Sequence, residues 1–161
     1  MESEFGEHFI TAGLSGRPIR LYYCGYHRCS PGHGYGPAMR DHALLHYIRS
    51  GKGKFQAGGT SYELQAGDCF VLFPNVPGAY RADEEEPWQY AWVGFDGEMF
   101  GAYLAAAGLT EEHPTYSFRE PERISRLFDR MFAGTADESF IGEAEGISYL
   151  FRFFARLLEE T

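Results

Sequence analysis

The sequence predicts a mainly β fold followed by C-terminal helices. Three observations predict it. Between about residues 18 and 95, short apolar or alternating runs are separated by clusters of Gly, Pro and Asp, the punctuation of strands and turns. From residue 96 onward, apolar residues recur at helical spacing instead. The chain has 161 residues, the length of one domain, and burying most of its unfolded surface needs neither disulfide nor metal.

The strand runs are residues 19–26, 43–49, 54–57, 61–65, 69–73 and 88–95. Their spacing is mostly about 10 residues, as in a sandwich or barrel. One hairpin can be read in detail. Gly58-Gly59 is a two-residue loop suited to a primed turn, which needs positive φ. Pairing outward from it sets Phe55 opposite Tyr62 and Lys54 opposite Glu63. An aromatic pair then lies on one face and an ion pair on the other, and both support the same register.

After Phe95 the period changes. Asp96 is placed to cap a helix running to about Ala107, with Gly108 as its stop. Pro121 suits a first helical turn. Behind it, Ile124, Leu127, Phe128, Met131 and Phe132 mark one face of a helix. A last helix is predicted over residues 142–160, with a wide stripe of Ile147, Leu150, Phe151, Phe154, Leu157 and Leu158. Residues 97–161 hold 6 Arg, no Lys and 12 Asp plus Glu, so these helices do not read as a DNA-binding helix-turn-helix, which must meet phosphates.

Composition excludes several classes. Apolar residues make up 44% and aromatics 17%, which rules out intrinsic disorder. A net charge of −9 argues against direct binding to nucleic acid or to an anionic membrane. No apolar run approaches a membrane span. The acidic start, Met-Glu-Ser-Glu-Phe, lacks the basic and apolar regions of a signal peptide. Cys24, Cys29 and Cys69 form no even framework and no CxxC, so they read as reduced thiols of a cytoplasmic protein.

His42 and His46 share a face of one strand, but four residues of strand hold their Cβ atoms about 13 Å apart. One ion cannot take both on a straight strand. No metal is expected from this reading. There is no GxSxG, no activated cysteine and no phosphate loop. The acidic run of residues 83–86 reads as a solvated loop tip.

What remains is an aromatic and polar lining. Trp88, Tyr90, Trp92 and Gly94 share one strand face, and Arg40, His42, Leu44, His46 and Ile48 share another. In a closed barrel such faces point inward. Aromatic plates with Arg and His donors suit a small polyhydroxylated ligand, whereas the plainer alternative is that the aromatic residues are simply core.

The stretch Pro31-Gly32-His33-Gly34-Tyr35-Gly36-Pro37 and the run from Leu44 to Gly53 resemble the effector-binding domain of AraC-type transcription regulators. The resemblance continues through Gly58 to Asp68, Leu72-Phe73-Pro74, and Trp88-Gln89-Tyr90-Ala91-Trp92-Val93-Gly94-Phe95. It implies a cupin-like β-barrel (double-stranded β-helix) over residues 18–95, an N-terminal arm over 1–17, and a helical dimerisation segment over 96–161. It further implies a small effector, a sugar, bound in the barrel under the arm as a lid, with no cofactor and no bond made or broken. DNA binding belongs to a C-terminal domain absent from this chain, and a homodimer forms through the C-terminal helices.

By the same resemblance Tyr80, Tyr90 and Trp92 match the family's sugar contacts, with His27 on the first strand. The family's arginine falls near Gly36, and Arg40 lies close enough to take its place. Together with the lining above, the candidate ligand-binding residues are His27, Arg40, His42, His46, Tyr80, Trp88, Tyr90 and Trp92. The sequence departs from metal-binding cupins: there is no HxH, and Pro74-Asn75-Val76-Pro77 is followed by Gly78-Ala79-Tyr80 rather than a histidine. The sensor branch of that fold is therefore expected over its enzymes. The alternatives are a small metal-dependent cupin enzyme (a sugar isomerase or dioxygenase) and an oligomerisation module whose barrel is filled by its own side chains.

Overall fold

The structure, a computed structural model, describes residues 4–10 and 19–161. The elements are β1 (Glu4–Phe9), β2 (Arg20–Arg28), β3 (Gly34–Ala38), β4 (Ala43–Ser50), β5 (Lys52–Ala57), β6 (Thr60–Gln65), β7 (Asp68–Leu72), β8 (Gly78–Ala82), β9 (Gln89–Asp96), α1 (Glu98–Ala106), β10 (Thr115–Ser117), α2 (Pro121–Gly134) and α3 (Phe140–Glu160). Two antiparallel sheets face each other. One has the order β1-β2-β9-β4-β7-β10, the other β3-β8-β5-β6. The fold is a cupin-like barrel with C-terminal helices.

The pleat divides the side chains between two cores. On β4, Leu44, His46 and Ile48 point between the sheets, while Leu45 and Tyr47 point to the helices. On β9, Tyr90 and Trp92 face inward, and Ala91, Val93 and Phe95 face the helices. The helices cover the outer face of the larger sheet. Ile124, Leu127, Phe128 and Met131 of α2 and Leu150, Phe153, Phe154 and Leu157 of α3 are buried there. Full burial of each such side chain is worth about 1.5–3 kcal/mol. Two polar links fix α2 to the sheet: the Tyr47 hydroxyl donates to the Pro121 carbonyl at 2.8 Å, and Arg49 pairs with Asp129 at 2.6 Å.

The hairpin register agrees with its reading. Phe55 faces Tyr62 with ring centroids 5.8 Å apart, and Lys54 lies 3.9 Å from Glu63. Gly58 and Gly59 take φ of 57° and 78°. Pro121 opens α2 as expected. Asp96 does not cap α1. β9 runs through Asp96, which still pairs with Arg20, so the cap position falls to Gly97, and the Asp96 carboxylate accepts the Gly97 amide instead of capping the helix.

The sheets recruit chain on both sides of residues 18–95. β1 adds to the edge of β2, pairing Glu4 with Arg28 through Phe9 with Tyr23, and β10 pairs with β7. Gly25 permits the β1 contact: a Cβ there would lie 2.3 Å from the Gly6 carbonyl oxygen and 2.6 Å from the Trp92 ring. The part of the N-terminal arm at residues 1–3 and 11–17 lies outside the described residues.

Candidate ligand-binding site

The space between the sheets is filled at one end and open at the other. Phe55, Phe70 and Trp88 stack at the filled end, with Phe55–Phe70 and Phe70–Trp88 centroids 4.5 and 5.8 Å apart. Gly53 lets Trp88 lie flat against β5, where a Cβ would come within 2.4 Å of its ring. His46 caps this stack: its ring lies parallel to Phe70 at 4.6 Å. Above it is a cavity of about 290 Å³. Tyr80, Tyr90, Trp92, Leu44 and Tyr23 form the walls, His27 and His33 one rim, and Tyr35 and Arg40 another. β1 closes part of the mouth with Phe5 and Glu7.

The polar groups fall into those already engaged and those left over. Trp92 Nε1 donates to the Glu7 carboxylate at 3.0 Å, and Phe5 packs on the same indole at 5.5 Å. The Tyr23 hydroxyl lies 2.6 Å from His42 Nε2, and His42 Nδ1 lies 2.9 Å from the Asp41 carboxylate. A carboxylate only accepts, so Nδ1 donates to Asp41 and the Tyr23 hydroxyl donates to Nε2. Burial pushes the Tyr23 hydroxyl up to about 12 and drives Tyr80 and Tyr90 higher still, so all three are neutral donors. Burial, reinforced by Arg40, lowers His46 to about 3, and its imidazole is neutral.

Four buried side-chain nitrogens have no partner among the described residues: Arg49 Nε and Trp88 Nε1, which lie away from the cavity lining, and two in residues that line it. His46 Nδ1 and Arg40 Nε are both shielded from water and make no hydrogen bond. Arg40 is otherwise held by the Tyr35 hydroxyl, to which its terminal nitrogen donates at 2.6 Å. A buried polar atom left unpaired costs about 1–3 kcal/mol, so such atoms mark where a ligand's own polar groups would be accepted.

Six of the eight candidate residues line this cavity: His27, Arg40, His46, Tyr80, Tyr90 and Trp92. Two do not. His42 is turned to Tyr23 and Asp41 and stacks on Tyr22 at 4.3 Å, so it holds a wall residue in place. Trp88 is fully buried at the filled end. Sequence reasoning missed Phe5, Glu7, Tyr23, His33 and Tyr35. His33 and Tyr35 lie in the Gly- and Pro-rich stretch that carried the resemblance, and Phe5 and Glu7 share one face of a strand that the sequence scan passed over. The reading also tested only His42 and His46 as metal ligands, whereas the described residues gather His27, Cys29 and His33, their donor atoms all within 4.8 Å of one another.

A larger depression of about 630 Å³ lies beside β5 and β6. Its two lysines are already paired, Lys54 with Glu63 and Lys52 with Glu86, and among the described residues none of the buried unpartnered side-chain atoms belongs to its lining.

An aromatic, partly polar cavity between the two sheets has the geometry of a small-ligand site. The chain belongs to the AraC-like ligand binding domain family, which matches residues 20–153. It is 33% identical over 142 residues to the Msm operon regulatory protein of Streptococcus mutans, covering 88% of this chain and 51% of that protein. It is 39% identical over 110 residues to the raffinose operon transcriptional regulatory protein of Pediococcus pentosaceus, covering 66% and 39%. The chain thus spans about half the length, or less, of these regulators. The structure of YhaK from Escherichia coli resembles it with a TM-score of 0.50 at 15% identity, covering 58% of this chain and 45% of that one, a likeness of fold alone. Among the described residues no helix is long and apolar enough to cross a membrane.

Proposed function

We propose that this chain is the effector-sensing domain of a cytoplasmic, sugar-responsive transcription regulator, and that it works by binding rather than catalysis. The observation that carries the reading is the pair of unpartnered buried atoms, His46 Nδ1 and Arg40 Nε, in a cavity walled by Tyr80, Tyr90 and Trp92. Aromatic faces take the C–H surface of a sugar ring, and the orphaned groups take its hydroxyls. The volume is at the low end for small-molecule sites, so one ring fits inside and further rings extend through the mouth. Similarity to a regulator of a raffinose operon supports a sugar of that kind.

In this reading His27, Arg40, His46, Tyr80, Tyr90 and Trp92 contact the ligand. His42 positions Tyr23, and Trp88 forms the base on which the site rests. β1 acts as the lid: a ligand that adds contacts to Phe5 and Glu7 favours the closed arrangement and shifts the population towards it. The C-terminal helices mediate a homodimer, and DNA is bound by a domain outside this chain. Phe140 and Ile141 at the start of α3 are 61% and 64% exposed, which suits a partner copy.

Thermal denaturation with raffinose, galactose, lactose and glucose, each with and without EDTA, tests the proposal. A true effector at 100 times its Kd adds about 2.7 kcal/mol, which at this size raises Tm by roughly 5–10 °C. Stabilisation that survives EDTA, and is lost in His46→Phe, is the expected result. Silence for every sugar, or a shift that EDTA abolishes, would overturn the sugar-sensor reading.

A further inference from the structure

Besides its place on the cavity rim, His27 belongs to a second cluster, at the end of β2 and the turn after it, with its own chemistry. His27, Cys29 and His33 bring two imidazoles and a thiol together. We propose that these three residues form a binding site for a zinc-class divalent cation on the rim of the cavity.

Distance supports this. His27 Nδ1 and Cys29 Sγ are 3.7 Å apart, and all three donor atoms lie within 4.8 Å of one another. Tetrahedral zinc, with Zn–N of ~2.0–2.1 Å and Zn–S of ~2.3 Å, holds its nitrogen and sulfur ligands about 3.5 Å apart. The His27–Cys29 pair already stands at that separation. His33 is the exposed member, and a change of rotamer brings it in.

Chemistry selects the ion. Two nitrogens and one sulfur form a set suited to zinc and its borderline neighbours, and a poor one for magnesium or calcium, which take oxygen. The backbone under the cluster is pinned at several points. The Cys29 amide donates to the Trp88 carbonyl at 3.1 Å, the His33 amide to the Ser30 carbonyl at 3.0 Å, and the Ala82 amide to the His33 carbonyl at 2.9 Å. Donors held this way lose little freedom on binding. Gly32, between Cys29 and His33, lies against the Glu84 carboxylate, and the chain carries a net charge of −9, so the local field favours a cation. The Arg81 guanidinium nearby is engaged with the Gly32 carbonyl.

Three protein ligands leave a tetrahedral ion with one open position. His27 and His33 also line the cavity, so that position borders the bound ligand. The cation site does not depend on the sugar reading, and its test uses the metal alone.

The test is titration of the chelator-stripped 161-residue chain with Co(II), followed by absorbance. Expected are saturation at one Co(II) per chain, a near-ultraviolet thiolate-to-cobalt charge-transfer band, intense visible bands of a four-coordinate ion, and displacement by Zn(II). The band reports Cys29: all three cysteines are buried, but among the described residues only Cys29 is gathered with other ligating side chains, and Cys24 is instead hydrogen-bonded to Thr135 at 2.9 Å. Cys29→Ser removes the band. His33→Gln, at an exposed turn where folding is not at stake, weakens Co(II) at least ~10-fold. Absence of the band in the wild-type chain, its survival in Cys29→Ser, or unchanged affinity in His33→Gln would each overturn the site. Sugar binding that persists in the stripped chain would leave the sensor reading standing alone.

Discussion

His46 makes the stability of this barrel depend on pH in a window that is easily measured. Its ring is 1% exposed, stacked on Phe70 and enclosed by Tyr80, Tyr90 and Trp92, with Arg40 close enough to oppose a second positive charge. Burial first, and Arg40 second, lower its pKa from 6.5 to about 3. The unfolded chain therefore takes up a proton as pH falls through 6.5, while the folded chain does not. Stability is complete above about pH 7 and declines progressively towards pH 3. For one such group the slope approaches ~1.4 kcal/mol per pH unit, so moving from pH 8 to pH 5 costs about 2 kcal/mol. Urea denaturation at half-unit pH steps reads this directly. His46→Phe keeps a ring of similar size on Phe70 and removes the titration, so its curve should be flatter by one proton between pH 5 and 6.5. Parallel curves for the two proteins would show that His46 is protonated inside the barrel, and the neutral, unpartnered imidazole assigned to the site would fall.

Two further substitutions separate the filled end of the barrel from the open one. Trp88→Ala empties a fully buried site against Phe70 and Gly53 and should cost about 3–5 kcal/mol in urea, with ligand affinity of the folded protein unchanged in calorimetry. Trp92→Ala should reverse the emphasis, losing ligand affinity by more than ~10-fold along with the Glu7 hydrogen bond. Gly25→Ala forces a Cβ against the Gly6 carbonyl and the Trp92 ring. Hydrogen exchange should then quicken across β1, and ligand affinity should drop; protection equal to wild type would show that β1 is not seated as described.

The parts of this molecule that were legible in the sequence are those that local rules decide. The hairpin at Gly58-Gly59 has a turn, an aromatic pair and an ion pair that agree on one register, and the structure keeps all three. The face of α2 from Ile124 to Met131 is set by a helical period and is buried as read. The strands that escaped detection depend on distant partners. β3 reads Gly-Tyr-Gly-Pro-Ala and is a strand because β8 lies beside it; β8 itself is five residues after a Pro-rich turn. Asp96 shows a local rule overruled. Its side chain suits a helix cap, but pairing with Arg20 holds its backbone extended for one residue more.

The same distinction explains the two candidate residues that miss the cavity. Alternation along a strand says which side chains share a face, not how far along the barrel axis each one sits. Trp88, Tyr90 and Trp92 do share a face, but each step of two residues moves about 6.6 Å along the strand. Trp88 thus reaches the filled end, Tyr90 the middle, and Trp92 the mouth, where Phe5 and Glu7 meet it. On β4 the gradient is read in the other direction, Ile48 deep, His46 at the floor and Leu44 in the wall, because the strand is antiparallel to β9. Polarity rises towards the mouth: among the described residues, stacked rings with one unpartnered nitrogen, Trp88 Nε1, lie below His46, and the unpartnered His46 and Arg40 nitrogens and the neutral hydroxyls lie at and above it. A barrel organised in this way can tolerate change at its mouth without losing its core, so sensors for different ligands can share the lower half of this fold and differ in the upper.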